Sequence, residues 1–162
     1  MLIKKKKYTT IWYEKEKIKI IDQTKLPFSI EIENLESTKD FFFAIKNMKV
    51  RGAPLIGITA AFGLAMSLKQ DSTDNHLKNT YAQLLLARPT AINLKWAMDV
   101  ILKEVEFVPK NKRFDRAIQK AVELMNDDIK KCKKIGEIGL KIIERIFKKN
   151  KKPVNILTHC NA

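Results

Sequence analysis

Residues 54–69 read PLIGITAAFGLAMSLK. At helical spacing, apolar or small side chains fall on nearly every face of this stretch, so a helix built from it has no side to turn toward water. It has to be central, with other elements wrapped around it. Gly57, Ala60, Ala61 and Gly63 would let those neighbours approach closely. The run is not a membrane span. Gly57, Thr59, Gly63 and Ser67 interrupt it between Leu55 and Leu68, and it falls short of the roughly 20 apolar residues a bilayer requires. A chain of 162 residues with 45% hydrophobic content is long and apolar enough to surround such a helix with one real core.

The surrounding elements follow from period. TTIWY (9–13), KIKII (17–21) and SIEIE (29–33) are short and rich in β-branched or aromatic residues. The last two alternate, which predicts half-buried strands of a small antiparallel sheet. At Ser37 the period changes. STKD reads as a capping box with Ser37 as N-cap and Asp40 at the third helical position, predicting a helix from about Thr38 to Lys46. VRGAP then breaks the chain, with Pro54 suited to the first turn of the apolar helix. Further helices are expected over about Asn75–Leu86, Ala91–Val105 and residues 113–148, the last as one long helix or two halves meeting near Gly136 and Gly139. Val154–Leu157 is a continuous apolar run, suited to a strand buried on both faces of a parallel sheet. No second run of that kind occurs. The expected fold is therefore α+β: a small antiparallel sheet (1–36), a helical bundle (37–150), and the first strand (153–162) of a further domain.

Charge points in two directions. The formal net charge is +14, which raises nucleic acid or an anionic surface as partner. Yet lysine supplies nearly all of it, spread along the chain between apolar positions, and only Arg51, Arg88, Arg113, Arg116 and Arg145 are arginine. Specific nucleic-acid readers lean on arginine and on aromatic platforms, so the lysine coat argues for an ordinary solvated surface. The N-terminal MLIKKKK lacks a following apolar segment, and a cytoplasmic protein is expected. His76, His159, Cys132 and Cys160 are the only histidines and cysteines. They form no four-ligand set, and no metal site is expected.

Three stretches could carry chemistry. In VRGAPLIG (50–57), an arginine and a glycine precede a helix start. Free N–H groups around Ala53, the positive end of the helix dipole and the forked donor of Arg51 would together suit a phosphate. The same stretch also reads as a plain helix–helix turn with an exposed arginine. ARPTAINLKWA (87–97) repeats the design, with Arg88 before Pro89 and Thr90 able to cap the helix. LTHCNA (157–162) would put Cys160 at the C-terminal end of a parallel strand, the edge where open α/β sheets bind ligands. Cys160 there could be a nucleophile, a proton donor or a polarising group, or simply a small buried residue. His159 would point to the opposite face, so the two make a poor dyad.

The stretches IWY…IIDQTKLPF, MKVRGAPLIGITAAFGLA, ARPTAINLKWA, IGEIGLKII and ILTHCNA, taken in order, closely resemble the N-terminal half of methylthioribose-1-phosphate isomerase. That family shares a superfamily with ribose-1,5-bisphosphate isomerases and the regulatory subunits of translation initiation factor 2B. The resemblance implies conversion of 5-methylthioribose 1-phosphate to 5-methylthioribulose 1-phosphate in methionine salvage, with no metal or organic cofactor and, for the full-length family, a homodimer. It implies that Arg51, Gly52, Ala53 and Arg88 bind the phosphosugar and that Cys160 acts in catalysis. It also implies a second, Rossmann-like domain carrying an aspartate general acid, which this chain lacks. The expectation is a chain with the family's identity and little activity alone, which a separately encoded C-terminal half would complete. A non-catalytic regulatory or sugar-phosphate-binding module is the alternative. The apolar helices that should face the second domain would be exposed, making the chain prone to association.

Overall fold

The computed structural model describes residues 2–3 and 5–158. At the N-terminus β1 (Leu2–Ile3) and β2 (Lys6–Lys7) pair antiparallel. A three-stranded antiparallel sheet follows, β3 (Ile11–Glu14), β4 (Lys17–Ile21) and β5 (Ile32–Leu35), in that spatial order. Ile11 lies opposite Ile20, and Ile18 opposite Leu35. These four side chains are buried, while Lys17 is exposed.

The alternation of SIEIE places the third strand three residues too early. Ile30 and Ile32 remain substantially exposed, and Leu35 is the residue that reaches the core. Register follows the side chain that can be buried, and Leu35 sets it.

Ser37 caps α1 (Thr38–Lys46) with the reciprocal hydrogen bonds predicted. The Asp40 N–H donates to Ser37 Oγ at 3.3 Å, and the Ser37 N–H donates to Asp40 Oδ2 at 2.8 Å. The all-round apolar stretch forms α2 (Ala53–Ser67), and it is indeed central: every residue from Leu55 to Ala65 is buried. Its main partner is α4, followed by α1 and α3. The sheet reaches it through Tyr13, whose ring stacks on Phe62 with centroids 6.5 Å apart. Gly63 is hemmed in by Phe41 and Leu84; an added Cβ would come within 2.9 Å of Phe41.

Helices α3 (Asp74–Leu85) and α4 (Ile92–Val105) begin and end within a residue of expectation. Thr73 caps α3 through the His76 N–H. Helix α5 (Lys110–Asn150) is one continuous helix. Gly136 and Gly139 do not divide it, because both take ordinary helical geometry with open space beside them.

The chain separates into two compact units, one ending at Met125 and the other beginning at Asn126. The first holds the core described above. The second carries the remainder of α5, where Ile135, Ile138, Leu140, Ile142, Ile146 and Phe147 are all exposed. After it, Val154–Leu157, whose apolar run predicts a strand, has no regular structure among the described residues, and Ile156 and Leu157 face solvent. A strand exists only through the backbone ladder of a neighbour. No helix among the described residues is long and apolar enough to cross a membrane.

Candidate anion-binding site

The VRGAP stretch joins α1 to α2. Val50 is fully buried, and its N–H donates to the Ala44 carbonyl at 3.3 Å. Gly52 follows at φ 96°, ψ 133°, a backbone conformation that L side chains rarely adopt. It serves as N-cap of α2 and has no side chain to offer the helix. Pro54 stands in the first turn and has no N–H. The Ile56 N–H closes the first helical bond onto the Gly52 carbonyl at 3.0 Å. Arg51 is half-buried, yet its guanidinium makes no hydrogen bond or ion pair with the described residues.

The ARPTA stretch differs from expectation at its cap. The Ala91 N–H donates to the Arg88 carbonyl at 3.0 Å, which makes residues 88–91 a turn with Pro89 at its second position. Thr90 is thereby held at the corner of the turn, exposed, and does not cap α4. Ala91 occupies the cap position without any side-chain bond. Arg88 repeats the state of Arg51: half-buried, with its guanidinium uncommitted among the described residues.

These two helix starts differ from those of α1 and α3. Ser37 and Thr73 satisfy the first-turn N–H groups there, and Asp40 and Asp74 oppose the dipole. Helices α2 and α4 have neither a capping side chain nor an acid in the first turn. Their unpaired N–H groups and positive dipole ends are left to be met by something else.

Packing brings the two starts together. Gly57 lies against the backbone of Asn93, the second residue of α4, and against Ala97. Ala53 is four residues before Gly57, about 6 Å along the axis. The arrangement therefore gathers two positive helix ends, and the loops bearing Arg51 and Arg88, at one end of the α2–α4 pair. Helix starts of this kind suit an anion in general, with backbone N–H groups and forked arginine donors matching a phosphate monoester.

The other arginines are differently occupied. Arg113 is buried and donates to the carbonyls of Val108 (3.1 Å) and Ser72 (3.0 Å) and to Asp74 (2.5 Å). Arg116 pairs with Glu104 and donates to Gln119. Arg145 belongs to the second unit and is exposed. Arg113 also borders a cleft of about 370 Å³ with Asp74, Leu77, Leu102 and Val105. That cleft sits at the C-terminal end of α4, the opposite end from the two uncapped starts. Cys160 and His159 lie outside the described residues, and Cys132 is exposed on α5.

Residues that the motifs did not single out fasten the Arg51 loop. The Gln23 N–H donates to the Lys49 carbonyl at 2.9 Å, and Lys49 Nζ donates to Glu33 at 2.6 and 2.7 Å. The signal available in the sequence was the aspartate of DQTKLP, a charge directly after the apolar KIKII.

A small antiparallel sheet backed by helices, with the uncapped starts of α2 and α4 close together, defines an α+β domain. Residues 49–162 match the Initiation factor 2 subunit family, and the chain belongs to that family. It is 42% identical to a methylthioribose-1-phosphate isomerase of Methylorubrum extorquens, over all of this chain and 45% of that protein. It is 45% identical to the enzyme of that name from Methylocella silvestris, again over all of this chain and 45% of the other. Among solved structures it resembles 5-methylthioribose 1-phosphate isomerase from Pyrococcus horikoshii, with a TM-score of 0.68 and 32% identity, over 73% of this chain and 36% of that one. It also resembles the delta subunit of translation initiation factor eIF-2B from A. fulgidus, with a TM-score of 0.66 and 28% identity, over 74% of this chain and 37% of that one. The chain thus spans about 45% of the length of the curated relatives it matches.

Proposed function

We propose that this chain supplies the phosphate-holding part of an aldose–ketose isomerase that converts 5-methylthioribose 1-phosphate to 5-methylthioribulose 1-phosphate. The observation that carries the reading is the closeness of two uncapped, acid-free helix starts, each preceded by a half-buried arginine, Arg51 or Arg88, with no side-chain partner among the described residues. The anomeric phosphate prevents the sugar ring from opening as a free aldose would. An enzyme for this reaction must hold that phosphate while a hydrogen moves between neighbouring carbons. Arg51, Arg88 and the N–H groups of Gly52 and Ala53 take the holding role. Cys160 takes the role of a group that acts on charge developing at the reacting carbons.

The curated isomerases are more than twice as long as this chain. Residues of the kind they carry beyond the matched length share in turnover, and the stretch 1–162 by itself binds substrate weakly and turns it over little. The test is a titration of the chain with 5-methylthioribose 1-phosphate, paired with an assay for the ketose. The Gly52 and Ala53 amide resonances should move, Arg51→Met and Arg88→Met should each suppress the movement, and ketose should form only when a polypeptide spanning the remaining length of a relative is added. Turnover by the chain alone at a rate typical of enzymes would overturn the division of labour.

The likeness to the eIF-2B delta subunit favours a second reading, a sugar-phosphate-binding module without catalysis. That reading predicts the same amide shifts and no ketose under any complementation.

A further inference from the structure

The DQTKLP stretch is unused by the reading above, and the structure ties it to the Arg51 loop. Asp22 follows β4 and is 2% exposed, a rare burial for a carboxylate. Its Oδ1 accepts from the Thr24 N–H at 2.9 Å and from Thr24 Oγ1 at 2.6 Å. Its own N–H donates to the Glu31 carbonyl at 2.9 Å. Its Oδ2 faces Lys49 Nζ at 4.0 Å. Lys49 is held at three points: by Asp22, by both oxygens of Glu33, and at its carbonyl by the Gln23 N–H. Two residues later stands Arg51, whose side chain has no hydrogen-bond or ion-pair partner among the described residues.

We infer that Asp22 is a positioning residue for the anion site: through Lys49 it fixes the loop 49–52, so that Arg51 and the Gly52–Ala53 backbone face a phosphate in one arrangement. This rests on the phosphate-holding reading. The physical need is plain. Val50 and the Gly52 carbonyl are held by Ala44 and Ile56, but among the described residues the Arg51 side chain between them has no such hold. Further preorganisation comes from residue 49, which among the described residues is bonded or ion-paired to Asp22, Gln23 and Glu33. Removing the Asp22 charge leaves the ligand groups intact and loosens their support.

The test uses the full chain and inorganic phosphate, read by the amide shifts of Gly52 and Ala53 and by the fitted affinity. Asp22→Asn should weaken phosphate binding by roughly threefold or more. Lys49→Met should do the same, and Lys49→Arg, which keeps both ion pairs within reach, should restore most of it. Glu104→Gln removes a comparable half-buried ion pair at the far end of α4 and should leave affinity unchanged. Equal losses for Asp22→Asn and Glu104→Gln would reduce the effect to general stability and overturn the inference. So would unchanged affinity in Asp22→Asn alongside a lost response in Arg51→Met, although the phosphate reading would then survive. If phosphate moves neither amide in the unaltered chain, both readings fall together. Should Asp22→Asn not fold, Glu33→Gln and Lys49→Met carry the same comparison.

Discussion

Gly57 and Asn93 touch backbone to backbone: a Cβ placed on Gly57 would lie 2.6 Å from the Asn93 carbonyl oxygen and 3.1 Å from its carbonyl carbon. No side chain can yield there, because the obstacle is main chain. This contact sets how near the start of α4 comes to the start of α2, and with it the spacing of the two arginine-bearing loops. Gly57→Ala should cost about 1–3 kcal/mol of stability, the usual range for overpacking. It should also lower phosphate affinity by moving α4 outward. Urea unfolding and the phosphate titration measure the two effects separately.

Gly52 presents the opposite case. A Cβ there meets nothing within 4 Å, but φ is 96°. Gly52→Ala should cost about 1–3 kcal/mol through backbone strain alone. Gly52→Asn should cost a similar amount, since ψ 133° lies outside the left-handed helical region in which asparagine is tolerated. A urea series over the three residues at position 52 checks both losses.

Arginines with and without partners should separate stability from binding. Arg51→Met and Arg88→Met remove no hydrogen bond among the described residues, and each should shift unfolding by about 0.5 kcal/mol or less. Arg113→Met strips two carbonyls and Asp74 of a buried donor. It should destabilise by about 1–3 kcal/mol while leaving phosphate affinity unchanged.

Acid should unfold the first unit through a few carboxylates. Burial pushes the Asp22 carboxyl up, but the Thr24 hydrogen bonds and the Lys49 charge outweigh it and leave it below the ordinary value. For Asp40 the same opposition is won by the backbone and hydroxyl of Ser37, and for Glu104 by Arg116 and Lys120. A folded-state value below the unfolded one stabilises the fold above the unfolded pKa and is lost as pH falls through the folded pKa. Stability should therefore be level above about pH 5 and decline below about pH 4, where free carboxylates titrate. Urea midpoints from pH 7 down to pH 3 should show the decline, and Asp22→Asn should make it shallower.

The central helix could be read from the sequence because its composition admits only one environment. A stretch with no polar face must be buried, and Leu55–Ala65 is. The Ser37 cap was equally plain, since its chemistry is local. The position of β5 was hidden because SIEIE alternates without saying which residue meets the core. The cap of α4 was misplaced because Pro89 draws Thr90 into a turn that ends one residue short of the helix. The nearness of VRGAP and ARPTA was not legible at all. It depends on a backbone contact between residues 57 and 93, far apart in the chain. The fastening of Lys49 by Asp22 and Glu33 was hidden for the same reason.

The apolar side chains that α5 exposes between Ile135 and Phe147 are bordered by Lys133, Lys134, Lys141, Lys148 and Lys149. Lys133 and Lys134 lie near Glu137, and at low ionic strength the remaining excess of positive charge should oppose the approach of a second copy. Added salt screens that repulsion within a shorter distance, while contact between the isoleucines is not weakened. The protein should consequently run as a single chain in dilute buffer and gain apparent mass as sodium chloride rises, the reverse of what salt does to assemblies held by opposite charges.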